Sequence, residues 1–422
     1  MKRIFYTLIL STGLLITACS DNESGENPPP PSPSDRTVII YQSAQNSLGY
    51  DQFHRSDSAE IVQGASYMGK NDRVLLYMDD ANNPRIYLIT RNTVVPKLVY
   101  RSQTDDDSSS PTTLSNVLKW CKTNYPSSSY GLVLWSHADG WLPPALPNKT
   151  GRSFGVDVGP GGSMYYDKDK YGNIGSQMKI EDLAAALEDS KVHFDYIFFD
   201  ACLMQCLESG YTLRNTTDYI IAGPIIMPAI GANYFNLMKN GFFAKTPSTA
   251  IAESYFKFMK DEARYPYNDF GLVISTVKTA GLDSLARITA EVLPQATETY
   301  PDMSQIQRYA DYLSSYGYAP EFYDAGQTMK ALVKSSEDYL RWRAQLDRCI
   351  TYKAATPSVY SYSSGWNEVF IPIDVENYTA VSMFVPQARY TTNAPICRYG
   401  DLNEAFRQTE WYTAAGWEQK GW

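Results

Sequence analysis

The chain has 422 residues, of which 44% are hydrophobic and 14% aromatic, and its 46 acidic and 37 basic residues give a formal net charge of −9 at pH 7. This acidity argues against a nucleic-acid or anionic-membrane surface as the main partner. The hydrophobic content allows a sizeable core, and the length suits one large or two ordinary domains.

The first 18 residues combine a positively charged start with an apolar run that is too short to span a bilayer as a mature helix. The run ends in Ile16-Thr17-Ala18-Cys19, which resembles the lipobox of bacterial lipoproteins. The resemblance implies that a signal peptide, residues 1–18, is removed and that Cys19 is lipidated. Such a lipid would attach the protein to a membrane without a spanning helix. An uncleaved anchor or an ordinary signal peptide is the alternative.

Residues 19–35 form an acidic and then proline-rich segment that cannot bury a core and is predicted to be a flexible tether. Acidic residues just after the cysteine resemble surface-export signals of some outer-membrane lipoproteins. We therefore expect a lipid-anchored protein of the bacterial cell envelope, in the outer membrane and facing either the periplasm or the outside.

Apolar runs alternate with helical patterns through residues 36–245. This order predicts a mostly parallel sheet flanked by helices on both faces, an α/β fold. The expected strands are 36–42, 73–80, 85–90, 94–100, 131–135 and 194–200, and the expected helices are 59–69, 113–123 and 180–187.

Two of these predicted strands end in small-residue turns that each carry a reactive side chain, His137 and Cys202. Neighbouring parallel strands would place the two side by side, in the crevice beyond the carboxyl ends of the strands where ligands bind. A free thiol is mostly protonated at pH 7, and an adjacent imidazole can take its proton. The pair indicates a cysteine hydrolase.

Each of these residues could also have an ordinary packing role, but the chain has only three histidines to place. His54 is the alternative base, whereas His193 precedes the second strand and should lie at the opposite edge of the sheet. A helix is predicted to run on from Cys202 through Cys206, where a packing role is favoured over a resolving thiol.

Residues 135–141 read WSHADGW and residues 200–204 read DACLM. Together they resemble the motifs of the clostripain-like cysteine peptidases, which have a caspase-type fold and a His-Cys dyad. The resemblance covers, thinly, nearly all of residues 36–422. It implies His137 as general base and acid, Cys202 as nucleophile, and the N–H groups of Ala138 and Cys202 as the oxyanion hole.

The sequence departs from the family pattern at two positions in this site. Ala138 stands where the family has glycine, so the oxyanion hole requires a negative φ there. Ile230 stands where the family has an aspartate that helps to hold a basic side chain at P1, the residue before the cleaved bond. Asp200 is retained at that substrate-binding pocket, although it could instead cap a turn. A neutral or apolar P1 residue is therefore at least as plausible as a basic one.

Five cysteines remain besides Cys19, so at least one thiol stays free even with maximal pairing, which suits a nucleophile in an oxidising compartment. They are Cys121, Cys202, Cys206, Cys349 and Cys397. Neither a cofactor nor a metal site is predicted, because there is no Cys-x-x-Cys and the histidines are scattered. Residues 167–178 begin like a calcium loop but lack its later ligands. Calcium dependence is implied by the family resemblance alone.

The segment between His137 and Cys202 is polar and contains Lys149 and Arg152. Relatives in the family are activated by cleavage there, but self-cleavage at these two residues would require a P1 pocket that accepts a basic side chain.

Residues 246–422 are predicted to continue the same unit as a mixed α/β extension. The expected helices are 248–262, 280–293, 309–316, 328–344 and 402–411, and the expected strands are 271–276, 368–373 and 380–385. The sequence thus favours a membrane-anchored cysteine endopeptidase that acts on proteins or peptides, with no nucleic-acid partner. The alternative is a degenerate relative that only binds a peptide or a surface polymer.

Overall fold

The central sheet has nine strands, and smaller two-stranded sheets lie around it. The structure is a computed structural model that describes residues 34–143, 154–159, 175–264, 267–297, 300–310, 322–364, 367–390 and 400–422. The signal peptide, Cys19, nearly all of the predicted tether, Lys149, Arg152, residues 167–174 and Cys397 lie outside the described residues. In the described ranges, no helix is both long enough and apolar enough to cross a membrane.

The strands in chain order are β1 (Thr37–Ser43), β2 (Arg73–Asp79), β3 (Arg85–Thr90), β4 (Lys97–Arg101), β5 (Tyr130–Trp135), β6 (Phe154–Asp157), β7 (Ser176–Met178), β8 (Tyr196–Asp200), β9 (Tyr219–Ala222), β10 (Val273–Lys278), β11 (Tyr323–Asp324), β12 (Ile350–Ala355), β13 (Ser358–Ser364), β14 (Asn367–Pro372) and β15 (Ser382–Met383).

The α-helices are α1 (Ser47–Tyr50), α2 (Phe53–Gly64), α3 (Pro111–Asn124), α4 (Ile180–Ser190), α5 (Leu207–Leu213), α6 (Tyr234–Asn240), α7 (Pro247–Lys257), α8 (Leu282–Val292), α9 (Ala325–Leu332), α10 (Ser336–Cys349), α11 (Leu402–Arg407) and α12 (Glu410–Ala414). A π-helical segment, Phe258–Glu262, follows α7 directly.

The large sheet has the order β12-β10-β9-β8-β5-β1-β2-β3-β4. Its five central strands, β9, β8, β5, β1 and β2, are parallel, and the strands at both edges are antiparallel. Every residue of β1, β5 and β8 is buried, because helices cover both faces of the sheet. The predicted α/β fold with a mostly parallel sheet is confirmed.

Successive residues of each central strand enter two different hydrophobic cores. Val38 and Ile40 of β1 belong to the core that α2, α6, α7, α8 and α10 cover, whereas Ile39 and Tyr41 belong to the core under α3 and α4. This alternation follows from the two-residue period of a strand. The alternation therefore determines which helices pack against each side chain at the carboxyl end of the sheet.

The prediction of a helix that starts at Cys202 is wrong, because α5 begins only at Leu207. Leu203 has a left-handed backbone with φ of +64° that a helix cannot contain. The N–H of Leu203 donates to the Ile225 carbonyl, and the N–H of Gln205 donates to the Gly223 carbonyl. Residues 201–206 are therefore held against the segment after β9.

Two other segments that were each predicted to be one helix form two helices in the structure. The segment 328–344 is interrupted at 333–335, where Ser335 caps α10 by accepting the Asp338 N–H, and residues 402–411 are split between α11 and α12. The helix predicted at 59–69 begins earlier, at Phe53. Tyr309 and Ala310 are not helical, and the rest of the helix predicted at 309–316 lies outside the described residues.

Candidate active site

His137 and Cys202 follow neighbouring parallel strands at the same edge of the sheet. In the register of β5 and β8, Trp135 is paired with Asp200, and each reactive residue comes two positions later. Both side chains line one cavity of about 320 Å³. Its lining consists of Leu48, Trp135, Ser136, His137, Ala138, Asp139, Asp200, Ala201, Cys202, Ile226, Met227, Pro228, Ala229, Gly231, Phe270 and Tyr360.

The turns that carry His137 and Cys202 are packed directly on each other. Gly140 has φ of +66°, and a Cβ added there would lie 2.7 Å from the Leu203 carbonyl oxygen. Only glycine combines this backbone with so close an approach. Gly140 of the sequence motif therefore lets the histidine turn and the cysteine turn meet.

Polar groups after β1 support the histidine turn. The Nε2 atom of His137 lies 2.9 Å from Ser47 Oγ, and the carbonyl of His137 accepts the Gly155 N–H. Asn46 holds the surrounding loops by donating to the carbonyls of Ser43 and Val156. The sequence predicts a small polar turn here but gives no sign that Ser47 contacts the histidine.

Cys202 differs in its surroundings from the other cysteines that the structure describes. Its Sγ accepts the Met227 N–H at 3.3 Å and reaches the cavity. Cys121, Cys206 and Cys349 are free thiols in the core, and burial raises the pKa of Cys206 to about 12 and that of Cys349 to about 11. Thiols with such pKa values stay protonated and unreactive near neutral pH.

Ala138 has the backbone conformation that a donor in the predicted oxyanion hole requires at this position. Its φ is negative, and in the described part of the chain its N–H donates no hydrogen bond. Ala138 also lines the cavity beside His137. Alanine thus supplies a backbone donor here without the freedom of glycine.

Asp200 lies in the wall of the cavity with its carboxylate almost completely buried. Its Oδ2 accepts the Ala232 N–H at 3.3 Å and the Tyr234 hydroxyl at 3.1 Å. Burial raises the pKa of Asp200 to about 6, and these donors only partly offset the rise. No lysine or arginine of the described ranges lies within ion-pair distance of Asp200.

Ile230 is not part of the cavity wall. It packs, half-buried, against the hydrophobic core, and its neighbour Gly231 lines the cavity instead. Gly231 has φ of +64°, and a Cβ there would lie 2.8 Å from the Asp200 carboxylate. The family pattern indicates the side chain of Ile230 at this place in the pocket. In the structure, the backbone of the next residue, Gly231, lies beside Asp200 instead.

The stability of the protein should depend on the ionisation of Asp200. Because its pKa rises from 3.8 to about 6 on folding, the protonated form is favoured in the folded state, and about 2 kcal/mol of stability is lost as pH rises from 4 to 7. Asparagine does not ionise, so the free energy of unfolding of Asp200→Asn does not fall over this pH range. Between pH 4 and pH 7.5 the variant should therefore gain most of that amount relative to the native chain. Urea unfolding at pH 4 and pH 7.5 measures it, and a pH-independent difference would contradict the buried carboxylate.

The other two histidines lie outside the cavity lining. His54 is buried on α2, where its Nε2 lies 3.2 Å from Asp80, and His193 is exposed and lies 3.0 Å from Asp218. Among the residues described, no set of three His, Cys, Asp or Glu side chains is arranged to hold a metal ion. The described lining of the cavity offers a thiol, an imidazole, two carboxyl groups, hydroxyl groups and backbone N–H groups.

The model of the clostripain family matches residues 40–422, while no curated protein sequence matches the chain. A secreted C11 cysteine protease from Bacteroides thetaiotaomicron, solved with an irreversible peptide inhibitor, is 29% identical with a TM-score of 0.73. An inactive zymogen C11 protease from Parabacteroides distasonis is 28% identical with a TM-score of 0.72. Each match covers 91% of this chain and 99% of the other. The chain therefore belongs to the clostripain family and is a cysteine peptidase.

Proposed function

We propose that this protein is an endopeptidase in which Cys202 is the nucleophile and His137 the general base and acid. The observation that carries the proposal is the cavity itself, which two neighbouring strands line with one accessible thiol and one imidazole. Ala138 beside them provides a backbone N–H that can bind a developing oxyanion.

In the proposed reaction, the Cys202 sulfur attacks the carbonyl carbon of the scissile bond while His137 holds the thiol proton. The tetrahedral oxyanion accepts hydrogen bonds from the N–H groups of Ala138 and Cys202. His137 then protonates the leaving amine, which departs and leaves a thioester on Cys202. Water, deprotonated by His137, hydrolyses the thioester and restores the thiol.

We propose further that the P1 side chain is basic. Besides Cys202 and Tyr360, the ionisable residues in the cavity wall are His137, Asp139 and Asp200, and the described lining contains neither lysine nor arginine. A buried carboxylate without a cationic partner is costly, and a lysine or arginine of the substrate would supply that partner. The same preference would allow cleavage at Lys149 or Arg152.

A protein that only binds peptides is the competing function, suggested by the changes at Ala138 and Ile230. The negative φ at Ala138 and the position of Ile230 outside the cavity wall both favour the peptidase over this alternative. The test is hydrolysis of a peptide library varied at P1, with the Cys202→Ala protein as control. Cleavage after lysine and arginine is expected. A folded chain that cleaves nothing, even after proteolytic cutting between residues 143 and 175, would contradict the proposal.

We also propose that lipid on Cys19 anchors the enzyme to the bacterial outer membrane. The described chain starts at Ser34, whose N–H donates to the Pro126 carbonyl, and β1 runs from that edge of the sheet toward the cavity at the opposite edge. A tether attached there would let the cavity face away from the membrane.

Replacement of Cys19 with serine should release the protein from the membrane. A serine hydroxyl cannot take the thioether-linked lipid, so the variant should lose labelling by a radioactive fatty acid and appear in the soluble fraction of a bacterial host. Membrane retention and labelling equal to the native protein would contradict the anchor.

A further inference from the structure

We propose that the turn between β3 and β4, residues 91–96, contacts the surface of the lipid bilayer to which Cys19 is attached. The inference rests on the proposed lipid anchor and adds a second contact with the same membrane. This contact orients the enzyme so that its cavity faces the water.

The turn carries the two most exposed large apolar side chains in the described ranges. Val94 is 84% exposed and Val95 is 81% exposed. Leu98 at the start of β4 and Tyr67 before β2 are exposed as well, at 44% and 47%. Exposed apolar side chains that occur singly are common on soluble proteins, whereas a group of them on one edge indicates a contact surface.

Hydrogen bonds hold this turn in a defined position. The Thr90 N–H donates to Thr93 Oγ1 at 2.9 Å, and the Thr93 N–H donates to the Thr90 carbonyl at 3.0 Å. The Asn92 N–H donates at 3.3 Å to the carbonyl of Ala65, two residues before Tyr67. The two valines are therefore exposed on a turn with a fixed backbone, and their burial in a partner requires little ordering of the chain.

The turn lies at the amino edge of the sheet, where the central parallel strands begin. β3 runs antiparallel to β2, and its last residue, Thr90, is paired with Arg73 at the start of β2. The described chain starts beside the same place, because the Asp35 N–H donates to the Asn71 carbonyl. The cavity lies at the opposite edge, beyond the ends of β5 and β8. A bilayer at the amino edge would thus meet the turn and leave the cavity open to substrates in water.

The lipid at Cys19 cannot by itself set the orientation of the enzyme. A fully extended chain from Cys19 to Ser34 could span about 50 Å, given about 3.3–3.6 Å per residue. The lipid therefore keeps the folded part near the membrane without deciding which face meets it. Membrane proteins that are anchored by lipid commonly use a second contact, and exposed apolar side chains at the amino edge provide one here.

The charges around the turn suit a membrane surface, although the chain as a whole has a net charge of −9. Lys70, Arg91 and Lys97 are exposed on this edge, where basic side chains attract anionic lipid headgroups. Asp35 and Asp72, on the same edge, already accept hydrogen bonds from other groups of the protein. Apolar contact and local charge attraction thus act together at the turn.

The experiment places an environment-sensitive fluorophore on a cysteine introduced at position 95, in the full lipidated chain that also carries Cys202→Ala. The protein is reconstituted into vesicles of phosphatidylethanolamine and phosphatidylglycerol. For Val95→Cys, the emission should shift to shorter wavelength and should be quenched by lipids with a nitroxide on the acyl chain. The same chain without the introduced cysteine gives the background labelling.

Val375→Cys is the matched control, because Val375 is an exposed valine near the carboxyl edge of the sheet. It is 42% exposed, and the N–H of nearby Ile373 donates to the carbonyl of Pro357, two residues after β12 ends at that edge. A fluorophore at position 375 should keep the emission that it has in water and should not be quenched by the nitroxide lipids.

Val94→Asp tests whether the valines themselves make the contact. A carboxylate beside the fluorophore would have to leave water to enter the bilayer, so the shift and the quenching at position 95 should be lost. In the chain that retains Cys202, Val94→Asp should hydrolyse a peptide with arginine at P1 within about threefold of the native rate, since an exposed substitution far from the cavity has little effect. Thermal unfolding of each variant shows whether the fold is retained.

A fluorophore at position 95 that stays in water, on a chain that carries lipid on Cys19, would overturn the inference and leave the anchor standing. Equal quenching at positions 95 and 375 would also overturn it, because the enzyme would then have no fixed orientation. A shifted emission without quenching by the nitroxide lipids would mean that a protein surface, such as a second copy of this chain, covers the turn instead of the bilayer. A chain that carries no lipid on Cys19 and does not bind the vesicles would overturn both proposals.

Discussion

Cys202→Ala should lower kcat for peptide hydrolysis by about 10⁴- to 10⁶-fold, as loss of the nucleophile does in other covalent hydrolases. Alanine cannot form the thioester, so only positioning and the backbone N–H donors remain to assist attack by water. The measurement is single-turnover hydrolysis of a peptide with arginine at P1, at enzyme concentrations high enough to detect the residual rate.

Cys206→Ala is the matched control for this prediction. Cys206 stands four residues after Cys202, but its thiol is buried and donates to Ser209 Oγ. The variant should retain activity within about threefold, because Cys206 is not among the described residues that line the cavity. Hydrolysis that persists in Cys202→Ala, or that is lost equally in Cys206→Ala, would show that Cys202 is not the nucleophile.

The second large effect is expected for His137→Asn, which should reduce kcat by about 10²- to 10⁴-fold, the usual contribution of a general acid–base group. The substitution removes the imidazole that we propose as the base for the Cys202 thiol. Alkylation of Cys202 by iodoacetamide should therefore slow near pH 7 and approach the native rate above pH 9, where thiols ionise without help.

His193→Asn serves as the control because His193 is exposed, pairs with Asp218 and lies outside the cavity lining. Its activity and its alkylation rate should match those of the native protein. Equal alkylation rates for His137→Asn and the native protein at every pH would mean that His137 does not interact with the thiol.

The sequence was sufficient to predict the α/β fold and the proximity of His137 and Cys202. Both residues follow continuous apolar runs, which are typical of a strand buried on both faces, and parallel neighbouring strands end at the same edge of the sheet. The cysteine turn was harder to predict. The residues around Leu203 do not indicate a positive φ. That backbone conformation is imposed by the hydrogen bonds between this turn and the segment after β9.

The wall of the cavity could not be predicted from the family pattern alone. An ungapped comparison indicates Ile230, whereas the backbone turns at Gly231 and brings that glycine to Asp200.

The breaks in the C-terminal helices have a similar cause. Residues 328–344 show helical periodicity, but Ser335 can cap a new helix, and this local bond competes with continuation of the first. Periodicity alone does not distinguish one long helix from two that meet at a cap. These differences lie far from the cavity and leave the arrangement of the proposed catalytic groups unchanged.

The most direct measurement is the site at which an irreversible peptide inhibitor with a thiol-reactive group and a basic P1 residue becomes attached. Mass spectrometry of the digested protein should show one inhibitor per chain, bound to the Cys202 sulfur, with labelling strongly reduced in His137→Asn. Attachment to Cys121, Cys206 or Cys349, or no attachment to a chain that hydrolyses the matching peptide, would contradict the assignment of Cys202 as the nucleophile.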